Sequence, residues 1–136
     1  MFKPPWARIT ALDLGKGEIA WQVALGDGPR DHPRLAHLDL PPLGSGGHSC
    51  VVVTGSLLIA AEGGAGTWSP HGRPILRAFD KATGASVGEV AVPSMVRGCP
   101  MTYLHAGVQY IVVPVGAPFA VPELVALALP ARPVQP

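Results

Sequence analysis

Ile75-Leu76-Arg77-Ala78-Phe79-Asp80-Lys81-Ala82-Thr83-Gly84-Ala85-Ser86-Val87-Gly88-Glu89-Val90-Ala91-Val92 reads as a strand, a tight turn and a second strand. Asp80 closes the first strand, and its carboxylate can accept hydrogen bonds from backbone N–H groups two or three residues on, which starts a turn. Gly84 stands where the chain must take a positive φ before it heads back. The same device occurs earlier, at Arg8-Ile9-Thr10-Ala11-Leu12-Asp13-Leu14-Gly15-Lys16-Gly17-Glu18-Ile19-Ala20-Trp21-Gln22-Val23-Ala24-Leu25. Aligning the two matches Ala11 with Ala78, Asp13 with Asp80, Gly17 with Gly84 and Val23 with Val90. A shortened third copy, Leu124-Val125-Ala126-Leu127-Ala128-Leu129, puts Ala126 in the place of Ala78. The interval between the last two copies falls at about 40–50 residues, the period of a propeller or solenoid repeat.

Composition agrees with an array of short strands. The chain is 48% hydrophobic and only 14% charged, against about 25% charged in an average globular protein. Its apolar residues are mostly Val, Leu, Ala and Ile, as expected for strands buried on both faces. The 17 glycines and 16 prolines suit many turns and oppose long helices. A formal charge of +1, with no basic run, gives no electrostatic case for nucleic acid or an anionic membrane. Apolar runs such as Cys50-Val51-Val52-Val53 break within a few residues, far short of the about 20 needed for a transmembrane helix. No apolar stretch follows Lys3, so no signal peptide is visible.

Outward from the central hairpin, the remaining strands fall into place. Residues 10–14 and 19–25 make a first hairpin. Residues 26–49, dominated by Gly, Pro, Asp and His, read as a long surface loop. Residues 51–54 and 57–61 flank Gly55-Ser56, a two-residue hairpin signal. A second irregular insertion spans 62–74. Residues 100–104 and 109–115 pair around His105-Ala106-Gly107-Val108, and the third copy adds a last strand. The predicted fold is all-β. A half blade over 4–25, a complete four-stranded antiparallel meander over 50–92 and an incomplete blade over 100–130 make a segment of two to three propeller blades. The Pro-rich tail, 131–136, is expected to fray. So few blades cannot close a ring, so the outer sheets are expected to expose apolar faces meant for neighbours.

Several of these strings resemble the C-terminal end of a pyrroloquinoline-quinone (PQQ)-dependent dehydrogenase of the membrane glucose dehydrogenase type. They are Leu76-Arg77-Ala78-Phe79-Asp80-Lys81-Ala82-Thr83-Gly84, Pro100-Met101-Thr102-Tyr103, Gly107-Val108-Gln109-Tyr110-Ile111-Val112-Val113 and Leu124-Val125-Ala126-Leu127-Ala128-Leu129-Pro130. Ala11-Leu12-Asp13, Gly17-Glu18 and Trp21 resemble the tryptophan-docking motif of such propellers. The resemblance implies an eight-bladed propeller with the quinone on its axis, calcium beside it and a periplasmic location. Its implied activity is oxidation of a sugar or alcohol hydroxyl with electrons passed to a quinone acceptor. The remaining blades of a parent chain would be this segment's partners. The family's catalytic aspartate and lysine come from earlier blades and match nothing here, so the chain alone is expected to be inactive. Two departures stand out: Gly88 replaces a second docking tryptophan, and the tail Gly116-Ala117-Pro118-Phe119-Ala120-Val121-Pro122-Glu123 lacks the histidine of glucose dehydrogenases. They favour the alternative of a non-catalytic propeller scaffold or interaction module.

The implied site residues follow from that frame. Trp21 is expected to insert between blades, with its N–H on a backbone carbonyl. Gly47, His48, Arg97, Gly116 and Ala117 are the cofactor-binding candidates, on loops at the expected propeller mouth. Glycine there lets backbone approach a flat ring, and Arg97 can pair with a quinone carboxylate; the competing reading is glycines that only make turns and a solvated His48. Cys50 and Cys99 both precede first strands of consecutive units. Buried inert thiols are the ordinary reading, with a disulfide as the alternative. His32, His37, His71 and His105 have no metal-ligand spacing, and the aspartates do not cluster as a calcium cage requires, so no metal ligand is assigned.

Overall fold

The computed structural model describes residues 3–45, 50–62, 74–117, 119 and 121–129. Its strands are β1 (Arg8–Asp13), β2 (Glu18–Ala24), β3 (Val51–Val53), β4 (Leu57–Glu62), β5 (Ile75–Asp80), β6 (Ser86–Ala91), β7 (Met101–His105), β8 (Val108–Val115) and β9 (Glu123–Ala128). They form three antiparallel sheets in the orders β1-β2, β3-β4-β5-β6 and β7-β8-β9. The fold is all-β, with the meander expected of a partial propeller.

The two long hairpins are built alike, down to single hydrogen bonds. Asp13 Oδ1 accepts the N–H groups of Gly15 and Lys16 at 2.9 and 3.1 Å. Asp80 Oδ1 accepts those of Ala82 and Thr83 at 3.0 and 2.8 Å, and the Thr83 hydroxyl at 2.8 Å. Gly17 and Gly84 then take φ of 71° and 75°. Each donates its N–H back to the aspartate carbonyl, at 2.7 and 2.9 Å. The register matches too: Ala11 pairs with Trp21 and Ala78 with Gly88, and a shift follows Ala11 in one hairpin and Ala78 in the other.

The Thr83 hydroxyl, then the two N–H groups, hold the Asp80 carboxyl below the usual carboxylate range. A depressed carboxylate stabilises the fold above its unfolded pKa of about 4 and loses that contribution as pH falls through its folded value. Asp80→Asn, which keeps the acceptor and removes the charge, should therefore flatten the acid limb of the stability profile below about pH 4. Acid unfolding followed by intrinsic fluorescence, in parallel with the parent chain, reads the difference.

Strand alternation divides the core between two inter-sheet layers. Leu58, Ala60 and Phe79 of the middle sheet pack with Ile9, Trp21, Val23 and Leu25 of the first. Ile59, Ala61 and Leu76 point the other way, with Val92, Val113 and Val115, and with Ile111, Val125 and Leu127 against them. This explains why β4 is buried at consecutive positions from Leu58 to Glu62. Burial on both faces does not extend to every strand, however. β6 is exposed along its whole length, because it is the edge of its sheet. Leu12 and Ile19 on the first sheet, and Met101, Tyr103 and Leu124 on the third, are exposed apolar residues. Tyr103 stacks on Tyr110 with ring centroids 5.1 Å apart.

The segment expected as a surface loop is tied down at both ends. It contains two short 3-10 helices, Gly28–Asp31 and Ala36–Leu38. Leu43, Gly44 and Ser45 donate their N–H groups to the carbonyls of Asp27, Gly26 and Leu25 at 2.9, 3.0 and 2.7 Å. Leu25, Asp27, Leu43 and Ser45 are buried as a result. Among the described residues no helix is long and apolar enough to cross a membrane.

Candidate functional site

Trp21 is the joint between the first two sheets. Its Nε1–H donates to the Lys81 carbonyl at 3.0 Å. Its ring lies over Gly84, so closely that a Cβ built there would come within 2.6 Å of ring carbon Cε3. The glycine thus serves twice, giving the turn its positive φ and leaving room for the indole. Trp21→Ala should cost about 2 kcal/mol, below the about 3–5 of a fully buried tryptophan because the ring is half-buried. Urea denaturation checks the value, and a loss under about 0.5 kcal/mol, the scale of an ordinary surface substitution, would deny Trp21 this joint role.

Three of the five cofactor-site candidates meet at one end of the third sheet. Residues 95–97 run antiparallel to the end of β8, with Val96 bridged to Val115. The Arg97 N–H donates to the Pro114 carbonyl at 2.9 Å, and the Gly116 N–H to the Met95 carbonyl at 2.8 Å. The Arg97 Nε–H donates to the Gly116 carbonyl at 3.1 Å. Gly116 and Ala117 line a cleft of about 210 Å³ together with Ser94 and Glu123. Gly47 and His48 lie outside the described residues.

This corner fits a flat anionic ring only as one rim. Exposed Arg97 offers a cation beside a glycine edge, while Glu123 in the cleft would repel a carboxylate. Gly116 has no positive φ, and a Cβ there would meet Arg97 and Pro122 at an ordinary 3.6 Å. Its close-approach role is therefore not a steric requirement of the fold. Among the described residues no group of three or more His, Cys, Asp or Glu could hold a metal ion.

Cys50 and Cys99 form a disulfide, with Cα atoms 4.7 Å apart. The reading of buried inert thiols is thus corrected, and Cys99 is in fact exposed. Cys50 directly precedes β3 and Cys99 stands two residues before β7, so the bond joins the starts of the first strands of the two sheets.

An ion network at the far side of the middle sheet has no counterpart among the sequence candidates. Arg77 Nη2 reaches Asp27 at 3.0 Å, Glu62 at 3.1 Å and Glu89 at 3.3 Å. Glu62 Oε1 also accepts the Ser45 hydroxyl at 2.9 Å and the Asp27 N–H at 3.3 Å. Arg30 pairs with the other Asp27 oxygen at 3.1 Å. Burial would lower the Arg77 pKa, but Glu62, Asp27 and Glu89 outweigh it and raise the value. The network clamps the loop after β2 to the middle sheet. One signal was readable, an arginine within the otherwise apolar run Ile75-Leu76-Arg77-Ala78-Phe79.

Residues 1–111 match the family model described as PQQ glucose/ethanol/alcohol dehydrogenase, beta-propeller domain. The chain is 32% identical to a probable quinate dehydrogenase (quinone) of Xanthomonas campestris pv. juglandis, over 93% of this chain and 16% of that protein. It is 34% identical to the glycerol dehydrogenase large subunit of Gluconobacter thailandicus, over 84% of this chain and 15% of the relative. With a quinoprotein glucose dehydrogenase of Escherichia coli it shares 27% identity, over 84% and 14%. The chain therefore spans about a sixth of the length of these relatives. No solved structure matches it.

Proposed function

The chain belongs to the PQQ-dependent dehydrogenase β-propeller family, and we propose that it supplies the last blades of a quinoprotein that oxidises a sugar or alcohol hydroxyl. We divide it into a half blade over 4–25, a complete blade over 50–92 with an insertion at 62–74, an incomplete blade over 100–130 and a tail at 131–136. The observation that carries this reading is the match over most of this chain and only a sixth of its relatives, in a chain whose outer sheets expose apolar faces. Those faces fit further blades of a parent protein. The Cys50–Cys99 disulfide suits an oxidising compartment such as the periplasm.

Bound PQQ would accept the two electrons of the alcohol and pass them on to a quinone acceptor. In this chain Arg97 would hold a carboxylate at the rim, with Gly116 and Ala117 bounding that edge. Gly47 and His48 are the further candidates, by their position just before Cys50 in the sequence. The calcium ligands and the acid–base groups would come from other blades of the parent. The isolated chain is therefore expected to show no turnover of glucose with added PQQ and calcium.

Grafting the chain in place of the matching segment of the Gluconobacter thailandicus glycerol dehydrogenase large subunit tests the reading. The chimera should regain PQQ-dependent dye reduction, and Arg97→Ala should weaken its dependence on PQQ concentration by about tenfold. A folded chimera that binds no PQQ would favour a non-catalytic scaffold instead, which is the reading that Gly88 supports. Turnover by the isolated chain would overturn the assignment of the chemistry to other blades.

A further inference from the structure

We propose that the cleft beside Gly88, between the second and third sheets, is a binding site for a planar apolar molecule of about the size of indole. Position 88 occupies in β6 the place that Trp21 occupies in β2, since each pairs with the alanine just before a register shift. At the first joint an indole fills the space between sheets. At the second, a Cβ built on Gly88 would meet nothing within 4 Å.

The space it faces is apolar and bounded by two sheets. A cleft of about 200 Å³ is lined by Ile59, Leu76, Ala78 and Val90 on one side and by Ile111 and Leu127 on the other, with Glu89 beside Gly88 as its charged member. An adjoining space of about 400 Å³ shares Ile59, Val90, Ile111 and Leu127, with Thr54 and Gln109 among its polar lining. Ile59 and Leu76 at the floor of the cleft are buried core residues, while Val90 at its rim is exposed. For scale, an enclosed apolar cavity of about 150 Å³ binds benzene; this cleft is of that size and opens on the β6 side. A two-ring molecule matches both the volume and the missing side chain.

The third sheet also lacks the other half of the joint. In the third copy Ala128 takes the place of Asp80, so the sequence has no aspartate there to start the kind of turn that receives Trp21 at the first joint. Among the described residues the cleft thus has neither the plug nor the socket of the first joint, and a ligand can take the place of both.

Titration of the 136-residue chain with indole, read through methyl chemical shifts, tests the proposal. Saturable shifts centred on Ile59, Ile111 and Leu127 are expected. Gly88→Trp, which places an indole there covalently, should weaken the binding by about tenfold or more. Shifts spread evenly over Leu12, Ile19 and Leu124 on the outer faces would overturn it, as would unchanged binding by Gly88→Trp. Concentration-dependent shifts of the cleft methyls without indole would mean that a second copy fills the space, and would also overturn it. If Gly88→Trp does not fold, the shift map of the unaltered chain decides between these outcomes.

Discussion

Arg77→Met is expected to destabilise the chain by about 3–5 kcal/mol, the range for breaking a buried ion pair by removing one partner. Glu62 is only 2% exposed, and without Arg77 its charge stays buried beside that of Asp27. The methionine fills the volume of the arginine stem, so the loss reports the stranded charges rather than a cavity. Adding Glu62→Gln to Arg77→Met should recover part of the loss. The amide oxygen can still accept from Ser45 and the Asp27 N–H, and no unpaired charge remains at that site. Urea denaturation of both variants measures this. A single-variant loss under about 1 kcal/mol, the worth of a surface pair, would mean that the network is solvated and does not clamp the loop.

Removing the disulfide is the other large effect. Cys50 and Cys99 are 49 residues apart, and closing a loop of that length restricts the unfolded chain by an amount worth about 2–4 kcal/mol. The Cys50→Ser, Cys99→Ser double variant should lose that stability. The parent chain in dithiothreitol should fall to the same level, and the reductant should leave the variant unchanged. A variant as stable as the oxidised parent would show that the covalent bond adds nothing to the stability of the fold. Because the bond lies at the end of the third sheet that carries Arg97 and Gly116, its loss should also loosen that rim. Faster amide exchange at Arg97 and Gly116 would report it.

The hairpins were legible because everything that makes them is local. An aspartate at the end of a strand, N–H groups two and three residues on, and a glycine where φ is positive specify the turn at residues 13–17 and again at 80–84. Repetition of that pattern then implied sheets in series, and the resemblance to the tryptophan-docking motif implied the Trp21 joint. What stacking brings together could not be read in the same way. Arg77 meets Asp27 across a long loop, Cys50 meets Cys99 across a whole sheet, and Arg97 meets Gly116 from the far end of a hairpin. None of these pairs has a spacing that implies contact, because each depends on how closely and at what offset one sheet lies on the next. The burial of the loop after β2 was missed for the same reason: its polar composition is that of an exposed segment, until Glu62 and Arg77 supply partners for Asp27 and Ser45. Local hydrogen-bonding chemistry thus determined the strands, their turns and their serial order. The distances between sheets, which only the packed core sets, decided which charges are paired, which cysteines are joined and where a cleft remains open.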